Sequence, residues 1–84
     1  MREGATSKKV RKIVAKECGL APKSVTNKTD FMGGQKIRYF DCMGALFALQ
    51  HEFHVSLPES SYQKYTTVGG LVRDIVRQLK TRSK

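Results

Sequence analysis

The chain has 84 residues and a formal net charge of +9. This length predicts a single domain over 1–84, with 1–7 and 81–84 as disordered tails, and a domain this small buries roughly 60–65% of its extended surface. No apolar run approaches the length of a membrane span, and the sequence shows no signal-peptide h-region. Two cysteines are too few for a disulfide framework, so we expect reduced thiols in a cytoplasmic protein.

The positive charge is concentrated at the two ends of the sequence. Residues 1–23 carry Arg2, Lys8, Lys9, Arg11, Lys12, Lys16 and Lys23. Residues 64–84 carry Lys64, Arg73, Arg77, Lys80, Arg82 and Lys84. Two basic terminal helices could contact nucleic acid, an anionic membrane or an acidic protein, or they could only keep a small protein in solution.

The first predicted element is an amphipathic helix over residues 8–18. Its apolar face is formed by Val10, Ile13, Val14 and Cys18. Ser7 is the expected N-cap. Gly19 is the expected residue after the helix, because glycine adopts the left-handed conformation that closes the last turn.

A long connection follows the first helix, and most of it shows no helical or strand pattern. A short helical turn is expected at 22–24, and the remaining loop of roughly eighteen residues is longer than most. Such a loop is usually functional or held down by its own apolar anchors. The candidate anchors are Leu20, Val25, Phe31 and Ile37.

The segment 38–53, RYFDCMGALFALQHEF, predicts the central helix, which begins at Tyr39. Its apolar stripe is formed by Phe40, Met43, Leu46, Leu49 and Phe53. Phe47 lies off this stripe. If the stripe faces the core, Phe47 faces water, and an exposed phenylalanine indicates a surface for a partner.

The remaining residues predict a short extended link, one short helical turn and a last helix. The short turn covers 59–64, and Tyr65 is expected to be a buried anchor. Thr66 or Thr67 is the expected cap of the last helix. The apolar stripe of that helix is Val68, Leu71, Val72, Ile75 and Leu79. The sum is an all-α fold with three longer helices, a short third helix and a long first loop.

Four segments together are similar to a known family: VRKIVAKECGL, SVTNKTDF, ALQHEFHVSLP and KYTTV. In this order, and without a gap from about residue 10 to residue 79, the chain resembles bacterial acyl carrier proteins. The resemblance implies the acyl-carrier-protein-like four-helix bundle. In that fold the short third helix lies in the connection between the second helix and the last.

The chain departs from the family at its defining motif. The resemblance implies Asp-Ser-Leu at the start of the second helix, with 4′-phosphopantetheine on the serine, but this register holds Arg38, Tyr39 and Phe40. A phenol has a pKa of about 10, and its oxygen lies farther from the backbone than a serine oxygen. We therefore expect Tyr39 to be unmodified and the prosthetic group to be absent. A carrier that is modified at another residue is the alternative.

The start of the second helix is also a candidate anion site. Free N–H groups and the helix dipole attract phosphates to helix N-termini, and Lys36 and Arg38 add positive charge there. Phosphate, coenzyme A or a phospholipid head group could bind without a covalent bond. The alternative is that Lys36 and Arg38 are two exposed basic residues in a loop and bind nothing.

No catalytic or metal site is expected. His51 and His54 lack a third metal ligand, and the chain shows no nucleophile–base pair or phosphate-binding glycine loop. The sequence therefore does not predict an enzyme.

The main prediction is a non-canonical acyl-carrier-like protein, a monomer, that binds a protein partner in fatty acid, lipid or polyketide-type synthesis. The expected contact face comprises Phe40, Met43, Phe47 and His51 of the second helix. The alternative is a basic helical module that binds nucleic acid or an anionic membrane electrostatically through the terminal helices.

Overall fold

The computed structural model describes residues 2–34 and 37–82, and within them it contains α-helices, two short 3-10 helices and no strand. The α-helices are α1 (Arg2–Cys18), α2 (Tyr39–Phe53) and α3 (Val68–Arg82). The 3-10 helices, Pro22–Ser24 and Glu59–Tyr65, lie in the two connections. The predicted all-α class is confirmed. None of the described helices is both long and apolar enough to cross a membrane.

One apolar core holds the three helices and the first loop together. Its buried helical members include Val10, Val14, Cys42, Leu46, Leu49, Val68, Leu71 and Ile75. Of the predicted loop anchors, Val25, Phe31 and Ile37 are buried, and Leu20 is half-buried against the core. Burying one large apolar side chain stabilises the fold by about 1.5–3 kcal/mol, so these anchors hold the loop as firmly as helical residues would.

The first helix starts earlier than its apolar pattern predicts. α1 begins at Arg2 rather than Lys8, so the predicted cap at Ser7 and the predicted tail are wrong from Arg2 onward. Ser7 lies inside the helix and is buried, and its hydroxyl donates to Oδ1 of Asn27 over 3.1 Å. This contact with the first loop, and not capping, accounts for a buried serine on α1.

The predicted second tail is also partly helical. α3 extends through Thr81 to Arg82, and the Thr81 hydroxyl donates to the Arg77 carbonyl over 3.0 Å. The prediction of a disordered tail is therefore wrong for these two residues. Ser83 and Lys84 lie outside the described residues.

The end of α1 follows the prediction. Gly19 has a φ of 67°, in the left-handed region. The Leu20 N–H donates to the Ala15 carbonyl over 2.8 Å, and the Gly19 N–H donates to the Lys16 carbonyl. This pair of bonds is the Schellman motif, in which two carbonyls at the helix end are satisfied as the chain turns away.

The first loop is paired with the start of α3, a contact that the sequence does not predict. The Phe31 N–H donates to the Thr66 carbonyl over 2.7 Å, and Asp30 forms an isolated antiparallel bridge with Thr67. We call this region, residues 27–32 and 64–74, the loop–α3 junction. The long loop is thus fixed by backbone hydrogen bonds as well as by its apolar anchors.

Close backbone approach at the loop–α3 junction depends on Gly70. A Cβ added there would lie 2.0 Å from the Lys64 carbonyl oxygen, far inside van der Waals contact. The Gly70 N–H also donates to Oγ1 of Thr67 over 3.3 Å, which confirms the predicted threonine cap of the last helix. A glycine that costs helix propensity is therefore required by packing.

Two glutamines hold the link between α2 and the second 3-10 helix. The side-chain oxygen of Gln78 accepts a hydrogen bond from the Ser56 N–H over 3.1 Å, and its side-chain nitrogen donates to the Ser56 carbonyl over 2.8 Å. The side-chain oxygen of Gln50 accepts a hydrogen bond from the N–H of buried Leu57 over 3.0 Å. These bonds satisfy both backbone groups of Ser56 and the N–H of Leu57, so this part of the link needs no regular structure to pair them.

Candidate functional site

The start of α2 has no side-chain cap. Arg38 is extended, and its side chain makes no capping hydrogen bond, while its carbonyl accepts the Cys42 N–H over 2.9 Å. Asp41 supplies negative charge in the first turn, where the helix dipole favours it. Tyr39 is the first residue of α2, as predicted, and is 57% exposed.

The outward side of α2 carries two exposed phenylalanines in line. Phe40 is 85% exposed and Phe47 is 65% exposed. They are seven residues apart, about two helical turns, so both side chains project from the same side. His51 follows on that side and is exposed, and Met43 is half-buried between them. We call Phe40, Met43, Phe47 and His51 the α2 ridge.

The ridge confirms one prediction and corrects another. Phe47 faces water as expected. Phe40 was expected both on the core stripe and on the contact face, and the core placement is wrong, because Phe40 is the most exposed of the large apolar side chains described. The core side of α2 is instead formed by Cys42, Ala45, Leu46 and Leu49. Counting the small residues Cys42 and Ala45 as apolar would have rotated the stripe and brought Phe40 outward.

Small residues face α1 because the two helices lie close together. A Cβ on Gly44 would be 3.6 Å from a carboxylate oxygen of Glu17, and the Cys18 thiol lies 3.9 Å from the Asp41 carbonyl oxygen. The large side chains of α2 are therefore excluded from this side. They are divided between the core and the solvent.

Large apolar exposure is concentrated on this one helix. Among the described residues, the exposed large hydrophobic side chains are Tyr39, Phe40 and Phe47, and all three belong to α2. Single exposed apolar residues are ordinary, but a group on one helix marks an interaction site. The α2 ridge, with Tyr39 beside it, is the candidate functional site.

The two thiols near this site are not poised for chemistry. Cys42 is buried, and burial together with the nearby negative charge of Asp41 raises its pKa to about 11. Burial and the neighbouring Cys42 raise the pKa of Cys18 to about 11 as well. Both are free thiols that stay protonated at neutral pH, and a thiol is a poor nucleophile and metal ligand in that state.

The remaining residues that the sequence suggested for anion or metal binding do not form a site among the described residues. Lys36 lies outside the described residues, so only the exposed Arg38 represents the proposed anion pair. His51 is on the α2 ridge, whereas His54 ends α2 in the left-handed conformation with a φ of 56°. Across 2–34 and 37–82, no group of three or more His, Cys, Asp or Glu side chains is arranged to hold a metal ion.

A scan of the chain against protein-family models found no family that matches. The resemblance to acyl carrier proteins therefore remains a prediction from the sequence, and the α2 ridge is argued from its own geometry.

Proposed function

We propose that this chain is a non-canonical acyl-carrier-like domain that lacks the attachment serine and binds a protein partner through the α2 ridge. It acts as a cytoplasmic monomer in fatty acid, lipid or polyketide-type synthesis, as a scaffold or as an occupant of a carrier site. The observation that carries this proposal is the pair Phe40 and Phe47, exposed in line on the helix that would hold the prosthetic group.

The element order supports the carrier interpretation. Three longer helices occur in sequence, and the 3-10 helix Glu59–Tyr65 occupies the connection between α2 and α3. A carrier fold has its short third helix in that connection. We therefore interpret the architecture as an acyl-carrier-like four-helix bundle whose third helix is of the 3-10 type.

The chemistry at the start of α2 supports the absence of a prosthetic group. The Tyr39 hydroxyl extends farther from the helix than a serine hydroxyl, and Arg38 presents positive charge where the family has an aspartate. A transferase that recognises a serine beside acidic groups would find neither the serine nor the acidic neighbour at this position. The position equivalent to the attachment serine is thus proposed to contact a partner as a tyrosine.

The energetics of the α2 ridge favour an apolar interface. Burying an exposed phenylalanine side chain in a partner pocket is worth about 1.5–3 kcal/mol, and interface binding energy is usually concentrated in a few such residues. The nearby charges, Arg38 and Asp41, have opposite signs. Affinity should therefore depend on apolar burial and only weakly on salt.

The first experiment measures intact mass after incubation with coenzyme A and a broad-specificity phosphopantetheinyl transferase. We expect no mass change for the wild type. The double variant Arg38→Asp with Tyr39→Ser tests whether these two substitutions alone account for the loss. A gain of one phosphopantetheine by the wild type would overturn the proposal.

The second experiment tests the partner surface. A photo-crosslinking residue at position 47 in cells should capture one major protein, identified by mass spectrometry, and the same residue at exposed position 12 on α1 should not. Binding of the purified partner should weaken roughly tenfold in Phe40→Ala and in Phe47→Ala, because each removes a buried apolar contact. Equal weakening by Lys12→Ala, or no weakening by either phenylalanine variant, would contradict the proposal.

The basic face of α1 favours a second candidate function. Lys8, Lys12 and Lys16 are exposed and lie four residues apart, about one turn each, so they line one side of the helix. The ion pairs found in the described residues involve other cations, Lys9 and Arg77. Binding to nucleic acid or an anionic membrane through this face would weaken steeply with salt, unlike binding through the α2 ridge.

A further inference from the structure

A cleft of about 370 Å³ opens between the 3-10 helix Glu59–Tyr65 and α3, and none of its described lining residues belongs to α2. Its walls include three basic side chains, Lys64, Arg73 and Arg77, and the hydroxyl residues Thr66 and Thr67. Small-molecule sites usually measure about 300–1,000 Å³, so the cleft is large enough for a phosphate with an attached group.

The one acid among the described lining residues, Asp74, is already compensated. Its carboxylate accepts the Tyr65 hydroxyl over 2.6 Å and the Arg77 guanidinium. Burial raises the pKa of Asp74, but the hydrogen bonds from Tyr65 and Arg77 and the positive charges of Arg77 and Lys64 outweigh it, so the pKa lies below its usual range. Asp74 is therefore a carboxylate at neutral pH, and Arg77 neutralises it.

Two cations remain to face a ligand. Lys64 and Arg73 are exposed, and neither forms an ion pair with a described residue. The guanidinium of Arg73 can donate two parallel hydrogen bonds to a phosphate, and the Lys64 ammonium adds a second positive charge. The cleft therefore has net positive potential after Asp74 and Arg77 cancel.

The N-terminus of α3 contributes little to this site. The N–H groups of its first turn are already bonded, with Val68 donating to Thr29 and Gly69 donating to Asn27. Recognition of an anion must therefore come from side chains. The affinity of the cleft for an anion should therefore fall on single side-chain substitutions that leave the helix intact.

We infer that this cleft binds a phosphorylated small molecule. Arg73 and Lys64 contact the phosphate, and the Thr66 and Thr67 hydroxyls donate further hydrogen bonds. The inference is independent of the proposed partner binding, because it uses none of the α2 ridge.

The test is an NMR titration of the uniformly ¹⁵N-labelled full chain with inorganic phosphate, pyrophosphate and ATP, each matched in ionic strength with sodium chloride. Amide shifts should be confined to residues 63–67 and 70–77. ATP binding tighter than pyrophosphate would identify a ligand with a nucleoside attached, and equal affinities would identify the phosphate as the whole determinant. The Arg73→Gln variant should bind roughly tenfold more weakly, as expected for loss of a charge-assisted hydrogen bond.

The Lys23→Gln variant is the matched control, since it also removes one positive charge, from an exposed position in the 3-10 helix Pro22–Ser24. It should change the affinity by less than twofold. Equal weakening by Arg73→Gln and Lys23→Gln would overturn the inference, because it would mean attraction to overall charge. Shifts spread along α1, or none in the cleft at millimolar ligand, would overturn it too.

Discussion

Two tyrosines mark the contrast between the α2 ridge and the loop–α3 junction. Tyr39, beside the ridge, is 57% exposed, whereas Tyr65, in the junction, is fully buried. The Tyr65 hydroxyl donates to Asp74 over 2.6 Å, and burial together with this bond raises its pKa well above its usual range. The same side chain type is thus part of the core in one region and more than half exposed in the other.

The difference between the two regions shows which of them contributes most to the stability of this small domain. At the junction, backbone pairing, a buried phenylalanine and a buried tyrosine–carboxylate bond act together. On the ridge, large apolar side chains remain in water and contribute little to folding. Matched substitutions in the two regions should therefore separate stability from binding.

The largest effect is expected from the two phenylalanines. Phe31→Ala, at the junction, should lower the free energy of unfolding by about 3–5 kcal/mol, because it leaves a cavity in the core. Phe40→Ala, on the ridge, should change it by less than about 0.5 kcal/mol. Urea unfolding followed by circular dichroism measures both. Similar losses in the two variants would remove the contrast between the regions.

The next effect concerns two glycines. Gly70→Ala should cost about 2–3 kcal/mol, because its methyl group would collide with the Lys64 carbonyl oxygen. Gly44→Ala, beside the ridge, should stabilise α2 by about 0.5–1 kcal/mol, because its methyl group meets only an ordinary contact with Glu17. Thermal unfolding of both variants checks the opposite signs. A stable Gly70→Ala protein would mean that the junction is looser than described.

The smallest effect comes from the tyrosine hydroxyls. Tyr65→Phe should cost about 1–2 kcal/mol at neutral pH, because buried Asp74 loses a hydrogen bond. Tyr39→Phe, at an exposed position, should change stability by less than about 0.5 kcal/mol.

The Tyr65→Phe effect should also depend on pH. The folded-state pKa of Asp74 is lowered, so its carboxylate stabilises the fold above the unfolded pKa of about 3.9. That stabilisation is lost as the pH falls through the folded pKa. Unfolding curves measured at decreasing pH should show the difference between the wild type and Tyr65→Phe narrowing below about pH 4. A constant difference would mean that the Asp74 charge is not involved.

Local pattern predicted much of the architecture. Helical periodicity identified α2 and α3, Gly19 was recognised as the residue after α1, and the apolar anchors of the first loop were found because large apolar side chains seek the core. Periodicity failed at Arg2, since the first turns of α1 have no apolar stripe to reveal them. It failed again at Phe40, because small core-facing residues carry a weak hydrophobic signal.

By itself, the sequence determined the all-α class and the exposure of Phe47. Those features follow from residue type and local spacing. Only the tertiary structure decided which of the two sequence placements of Phe40 is right, that the first loop pairs with α3 and that Lys64 and Arg73 share a cleft. Each of these depends on residues distant in sequence meeting in space, and helix rotation and loop docking are set by packing, which local pattern does not encode.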